Sequence, residues 1–139
     1  MNTNFINKID EVIARDARYK ADAYEFVMQA LFFTQKKLKR KDHVSGKEML
    51  EGIKEHALSQ YGPMAKTVVE HWGIYTTSDF GQIVFNMIEA GLMKKTQDDS
   101  LEDFKDVYDF KNAFNVFKIK PQRAKRKALI KSESKNLLP

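Results

Sequence analysis

The order of helices in this chain is decided by one stretch, residues 45–91, which reads SGKEMLEGIKEHALSQYGPMAKTVVEHWGIYTTSDFGQIVFNMIEAG. It begins with a Ser-x-x-Glu capping box at Ser45, in which a hydroxyl and a carboxylate each satisfy a backbone N–H that the helix leaves unpaired. Gly62, Gly73 and Gly91 each follow an apolar stripe, where glycine ends a helix because it adopts the left-handed conformation without strain. The stretch therefore predicts three short helices.

The residues before this stretch predict two further helices, or one helix with a bend. Apolar side chains recur at spacings of three and four residues across residues 5–35, which is the helical period. A polar patch at residues 15–18 interrupts the stripe, so we place the end of the first helix, or the bend, there. A short basic connection at residues 36–42 then leads to the capping box.

The residues after Gly91 predict a small two-stranded element. Residues 92–96 read as a short strand, and residues 97–100 read as a polar turn. Residues 104–110 alternate imperfectly between apolar and polar side chains. They fit a returning strand or, behind a weak capping pattern that starts at Ser100, a short helix.

Together these elements predict a mainly α fold with a winged-helix-like core. Three short helices within residues 45–91 form that core, residues 92–110 form a two-stranded wing, and an N-terminal helix pair precedes both. We expect two parts, a helical body at residues 1–117 and a basic, extended C-terminal tail at residues 118–139.

Length and composition exclude several classes of protein. A chain of 139 residues with 42% hydrophobic side chains is long and apolar enough for one domain. The sequence contains no cysteine, which excludes disulfides, thiolate metal sites and cysteine nucleophiles. No apolar run approaches the roughly 18–20 residues of a membrane span, and the N-terminus lacks the basic and apolar segments of a secretory signal. We therefore expect a cytoplasmic protein without a membrane partner.

The sequence carries no catalytic motif, so we expect a non-enzyme with no cofactor and no small-molecule substrate. Residues 79–81, Asp-Phe-Gly, match the metal-binding tripeptide of protein kinases, but the glycine-rich and catalytic loops of a kinase are missing. Asp79 is better interpreted as a first-turn helix residue and Phe80 as a core residue. No nucleophile-elbow, phosphate-loop or dinucleotide-binding glycine pattern occurs.

Metal ligation is not expected either. None of the three histidines, His43, His56 and His71, has a second histidine four residues away on a helix. The acidic segment at residues 98–103 lacks the glycine that a calcium-binding EF-hand loop needs at its sixth position. Trp72 fits either a stacking platform for a nucleobase or the apolar core, and its position beside Gly73 favours the core.

Charge is strongly segregated along the chain. Residues 1–117 contain 16 Lys and Arg against 18 Asp and Glu, a net charge of −2, whereas residues 118–139 contain 8 against 1, a net charge of +7. This division is typical of a folded module with an arm for a polyanion. The predicted RNA-binding residues in the tail are Lys118, Lys120, Arg123, Lys125, Arg126, Lys127, Lys131 and Lys135.

A second basic cluster lies in the connection after the N-terminal helices. It is either a second RNA contact or a solvated loop, and it consists of Lys36, Lys37, Lys39, Arg40 and Lys41.

The predicted recognition helix argues against DNA. Residues 78–90 contain no Lys or Arg and two acidic residues, and such a helix would be repelled by the phosphates of a major groove. We therefore predict a non-enzymatic RNA-binding accessory protein attached to the ribosome, with ribosomal RNA and ribosomal proteins as partners. A DNA-associated winged-helix regulator or transcription adaptor, and an adaptor that binds only protein, are the alternatives.

Several short motifs resemble a family of small uncharacterised bacterial proteins known only by a locus label. They are R-D-x-R-Y at residues 15–19, H-V-S-G at 43–46, W-G-I at 72–74 and D-F-G-x-I-V-F-N at 79–86. The resemblance spans about residues 9–114 and leaves the tail outside. It implies a bacterial cytosolic protein, and it supplies no activity and no catalytic residues.

Overall fold

The structure is a computed structural model, and it describes residues 3–94 and 100–115. The described chain folds into helices, which in order are α1 (Thr3–Arg15), α2 (Ala21–Leu38), α3 (Gly46–Tyr61), a 3-10 turn (Gly62–Met64), α4 (Ala65–His71), α5 (Thr77–Glu89), a second 3-10 turn (Leu101–Phe104) and α6 (Phe110–Ala113). The predicted N-terminal helix pair and the three helices of residues 45–91 are confirmed. The boundary between body and tail at residue 117 lies outside the described residues.

Local capping explains where these helices begin and end. Ser45 accepts a hydrogen bond from the Glu48 backbone N–H, and the Glu48 side chain accepts one from the Ser45 N–H, so the predicted capping box is present. Thr76 and Asp79 form a second capping box at the start of α5. Gly73 has a φ of 97° and permits the sharp exit from α4.

The predicted two-stranded wing is wrong: residues 92–94 and 100–110, the described part of that segment, contain no strand. The backbone N–H groups of Leu92 and Met93 both donate to the Met87 carbonyl, which wraps this segment onto the end of α5. Ser100 caps a 3-10 turn instead of closing a hairpin. The short-helix alternative for this region is therefore closer to the structure, and the winged-helix-like core is withdrawn.

The core lies where α2, α3 and α5 meet. The side chains that it buries completely include Tyr24, Val27, Leu50, Ile53, Phe80, Ile83 and Met87. Trp72 is 7% exposed, and its ring lies 5.4 Å from Phe26 and 5.8 Å from Tyr61, between ring centroids. The core interpretation of Trp72 and of Phe80 is thus confirmed.

Two glycines inside helices permit close packing that the sequence analysis did not identify. A Cβ built on Gly52 of α3 would lie 1.7 Å from Oγ1 of Thr34 on α2, so a larger residue requires a shift of Thr34 or of the helices. A Cβ on Gly81 would lie 2.6 Å from the Phe104 Cβ. The 3-10 turn at Leu101–Phe104 therefore packs directly on α5, which is a tertiary reason for the absence of a strand.

None of the helices in the described ranges is both long and apolar enough to cross a bilayer.

We expect Gly52→Ala to destabilise the protein by about 1–3 kcal/mol, because the added methyl group overpacks the contact between α2 and α3. Chemical denaturation followed by circular dichroism measures this loss. Thr34→Ala removes the nearest obstructing atom, so the double variant should recover part of the lost stability. Equal stability of Gly52→Ala and the wild type would contradict the close approach of the two helices.

Candidate nucleic-acid interface

The tail that carries most of the basic charge lies outside the described residues. Its eight predicted RNA-binding residues are therefore untested by the geometry and stay a prediction; they are Lys118, Lys120, Arg123, Lys125, Arg126, Lys127, Lys131 and Lys135. The second predicted contact, residues 36–41, is fully described. We call this segment the basic turn.

Two of the five cations in the basic turn are paired with carboxylates of α3. Arg40 donates from both terminal nitrogens to the Glu48 carboxylate at 2.7 Å, and Lys37 forms an ion pair with Glu55. The guanidinium of Arg40 and the Ser45 N–H lower the pKa of Glu48 to about 2. These pairs join the end of α2 to α3. A cation that already pairs with a carboxylate gains less from an additional phosphate.

The other three cations, Lys36, Lys39 and Lys41, are exposed and make no ion pair among the described residues. Within the predicted contact, these three differ from Lys37 and Arg40 in having no carboxylate partner among the described residues. We call them the unpaired lysines.

The backbone that carries the unpaired lysines is held in one conformation. Lys39 ends α2 in the left-handed conformation with a φ of 57°. The Arg40 N–H donates to the Gln35 carbonyl at 2.9 Å, and the Gln35 side-chain amide donates to the Asp42 carbonyl at 2.9 Å. A fixed backbone reduces the ordering entropy that binding would otherwise require.

An apolar groove with a volume of about 810 Å³ lies beside the basic turn. It runs between the start of α1, residues 25–35 of α2, residues 41–44 and residues 92–94. We call it the α2 groove. Its apolar lining includes Phe5, Met28, Leu31, Phe32, Met49 and Met93. Its charged lining residues are Lys41, Lys94, Glu25 and Asp42.

Phe32 at the edge of this groove is 60% exposed, and the sequence analysis did not single it out. The available signal was the run of three apolar residues at 31–33, because three consecutive side chains of a helix cannot all face one core. Leu31 lines the groove, and the Phe33 ring lies 5.2 Å from that of His56, so Phe32 is the one that faces solvent.

A polar cluster on another part of the surface joins the α1–α2 connection to α5. Arg18 donates two hydrogen bonds to the Asp16 carboxylate, at 2.8 and 2.7 Å. Asn86, which is only 6% exposed, donates to Asp16 at 3.0 Å and to the Tyr24 hydroxyl at 3.1 Å. The hydrogen bonds from Arg18 hold the pKa of Asp16 well below its usual range. Every polar group here is satisfied by a neighbour, which indicates a structural role.

The Asp79 carboxylate is likewise engaged in hydrogen bonds within the fold. One carboxylate oxygen accepts the Tyr19 hydroxyl at 2.6 Å, and the other accepts the N–H groups of Tyr75 and Thr76. Burial and the bond to Asp79 raise the pKa of Tyr19. The interpretation of Asp79 as a first-turn helix residue is confirmed.

We expect Asn86→Ala to destabilise the protein by about 1–3 kcal/mol, because it removes partners from the buried Tyr24 hydroxyl and from Asp16. Urea denaturation measures the change. Gln29→Ala is a suitable control, since Gln29 also carries an amide but is exposed and, among the described residues, donates to the exposed Glu25 alone. A loss of less than about 0.5 kcal/mol for Asn86→Ala would contradict a structural role for the cluster.

His56 is held between Phe26 and Phe33, with ring centroids 5.4 and 5.2 Å away. Its buried Nε2 has no hydrogen-bond partner among the described residues. Burial disfavours the charged imidazolium and lowers the pKa of His56 below its usual value of 6.5. The unfolded chain therefore binds a proton at a higher pH than the folded protein does.

We expect stability to be greatest above pH 6.5 and to decline as the pH falls through the lowered pKa of His56. His56→Phe removes the titrating group, so the free energy of unfolding should depend less on pH between pH 7 and 5.5. Gln60→Ala, at an exposed position of the same helix, removes no titrating group and should keep the wild-type slope. Parallel curves for His56→Phe and the wild type would show that His56 does not cause the dependence.

The described residues contain no group of three His, Asp or Glu side chains arranged to hold a metal ion. Of the acidic segment at residues 98–103, Asp98 and Asp99 lie outside the described residues, and Asp103 accepts the Ser100 N–H in a capping box.

No protein-family model, curated protein or solved structure matched this chain. The resemblance to the bacterial family therefore stays a prediction from the motifs.

Proposed function

We propose that this protein is a non-enzymatic RNA-binding accessory protein of the cytoplasm that attaches to the ribosome. The observation that carries the proposal is the segregation of charge, +7 in residues 118–139 against −2 in residues 1–117. Binding to RNA gains much of its affinity when Lys and Arg replace the counterions of phosphates. In this proposal the tail lies along ribosomal RNA, and the body contacts ribosomal proteins.

The basic turn supports a role for the body in the same interaction. Its carboxylate neighbours, Glu48 and Glu55, are already paired with Arg40 and Lys37. The unpaired lysines are thus left to solvent on a fixed backbone. In this proposal they form a second, smaller phosphate contact.

RNA is favoured over DNA by the position of α5. A helix that reads a major groove must present polar side chains along one open face. In α5, Ile83, Asn86 and Met87 are buried, and Ser78 and Glu89 are the exposed residues. The side of α5 that is not buried, at residues 78, 82, 85 and 89, carries no Lys or Arg and one acidic residue, so it is poorly suited to the phosphates of a duplex.

We expect the affinity for RNA to fall steeply with salt. If the tail neutralises about six or seven phosphates, the slope of log K against log salt should be near −4 to −6. Deleting residues 118–139 should abolish most of this slope, and fluorescence anisotropy with a labelled ribosomal RNA fragment measures it.

The unpaired lysines provide a matched comparison. The triple change of Lys36, Lys39 and Lys41 to Gln should reduce the slope by about two. The same change at Lys47, Lys105 and Lys111, three exposed lysines elsewhere on the body, alters the net charge equally and should have little effect. If both triple variants reduce the slope equally, the effect comes from net charge in general, and the unpaired lysines form no specific contact.

A protein-only adaptor is the second candidate, and the apolar lining of the α2 groove favours it. The two functions differ in what the tail does. Full affinity for ribosomes in a sucrose gradient after deletion of residues 118–139 would promote the adaptor and would falsify the RNA proposal.

A further inference from the structure

We propose that Phe32 stacks on an unpaired nucleobase, so that the body binds single-stranded RNA across the basic turn and the α2 groove. This inference rests on the proposed function and adds to it the class of RNA and the residue that distinguishes a base from a phosphate. It is carried by the arrangement of one exposed aromatic ring, the unpaired lysines and an open apolar groove.

Phe32 is the aromatic residue of α2 that faces solvent. It is 60% exposed, whereas Phe26 on the same helix is 3% exposed and Phe33 packs on His56. Lys36 follows Phe32 by one helical turn and lies on the same side of α2, and Lys39 follows at the C-cap, where the helix ends. An aromatic face with a cation one turn away combines a stacking surface with a contact for an adjoining phosphate.

The position of Phe32 is fixed by buried neighbours. Thr34 is 2% exposed, donates to the Ala30 carbonyl at 2.7 Å and lies against Gly52. Ala30 is itself completely buried. The backbone on both sides of Phe32 is therefore held by core packing, and stacking would mainly require the ordering of the Phe32 side chain.

The exposed charges in and around the groove have a positive balance, which suits a polyanion. The carboxylates that line the groove are Glu25 and Asp42. The exposed cations Lys41 and Lys94 line the groove itself, and Lys36 and Lys39 adjoin it. Four cations thus face two carboxylates in this region.

A single strand fits this surface better than a duplex does. In a double helix the faces of the bases are stacked on one another, so an aromatic side chain can reach them only in loops, bulges and single strands. Stacking is tolerant of sequence, because every base has an aromatic face.

The test compares Phe32→Ala with Tyr75→Ala in the full chain. Tyr75 is 61% exposed and is thus matched to Phe32, but it lies near the N-terminal end of α2, whereas Phe32 lies in the C-terminal half. The probes are a labelled uridine oligonucleotide and an abasic oligonucleotide of the same length. Affinity and its salt slope are measured for both.

We expect Phe32→Ala to weaken binding of the uridine oligonucleotide by about 5- to 100-fold and to leave the salt slope unchanged. The abasic oligonucleotide should bind Phe32→Ala and wild type equally, and Tyr75→Ala should bind both probes as the wild type does. Phe32→Trp adds a direct signal: its fluorescence should be quenched by the uridine oligonucleotide and not by the abasic one. The native Trp72 is buried and supplies only a constant background.

Two results would overturn the inference and leave RNA binding intact. One is equal affinity of Phe32→Ala and wild type for the uridine oligonucleotide. The other is an equal loss for both probes, which would mean that no base is recognised. Self-association that Phe32→Ala abolishes, with RNA affinity unchanged, would assign the surface to a protein partner and also overturn it. If the wild type binds neither probe at any salt concentration, the proposed function itself fails.

Discussion

The close contact between Gly52 and Thr34 is the constraint on which much of the structure depends. Because no side chain intervenes, α2 and α3 approach closely, and their remaining side chains meet in a fixed register. That register brings Lys37 to Glu55 and Arg40 to Glu48. The same contact therefore determines which cations of the basic turn pair with carboxylates and which do not. It also anchors the part of α2 that exposes Phe32.

A second set of interactions, polar instead of apolar, joins the first connection of the chain to α5. Asp16, Arg18 and Asn86 form a hydrogen-bonded cluster, and Tyr19 bonds to Asp79 nearby. Buried polar groups of this kind are costly when any one partner is lost, and when complete they specify one arrangement. The charged residues of this cluster thus serve the fold.

The helices of residues 45–91 could be predicted because their signals are local. A capping box at Ser45 acts within three residues, and a glycine such as Gly73 ends a helix by its own backbone freedom. The structure of residues 92–110 could not be predicted from local signals. Alternation within residues 104–110 suggested a strand, but the segment follows a 3-10 turn whose Phe104 packs against Gly81, about twenty residues earlier in the chain.

The same distinction applies to the candidate interface. Five cations in residues 36–41 were evident from the sequence, but the pairing of two of them depends on carboxylates of another helix. Phe32 was one of three adjacent apolar residues, and only the packing of Leu31 and Phe33 shows which one is left outside. The role of the tail stays a prediction from charge alone.

The corner where α2 begins and α4 ends has a consequence for the order of assembly. The Lys20 N–H donates to the Trp72 carbonyl, and Gly73, which has no Cβ, leaves room for the Arg18 carbonyl. The α1–α2 connection and the α4–α5 connection are thus joined here, and we call this joint the clasp. Lys20 and His71, which also meet here, are 51 residues apart. Closing a flexible loop of that length carries a length-dependent entropy of about 3.5 kcal/mol. One hydrogen bond cannot offset it, so the clasp is stable only after α2, α3 and α4 have packed and brought its two sides together.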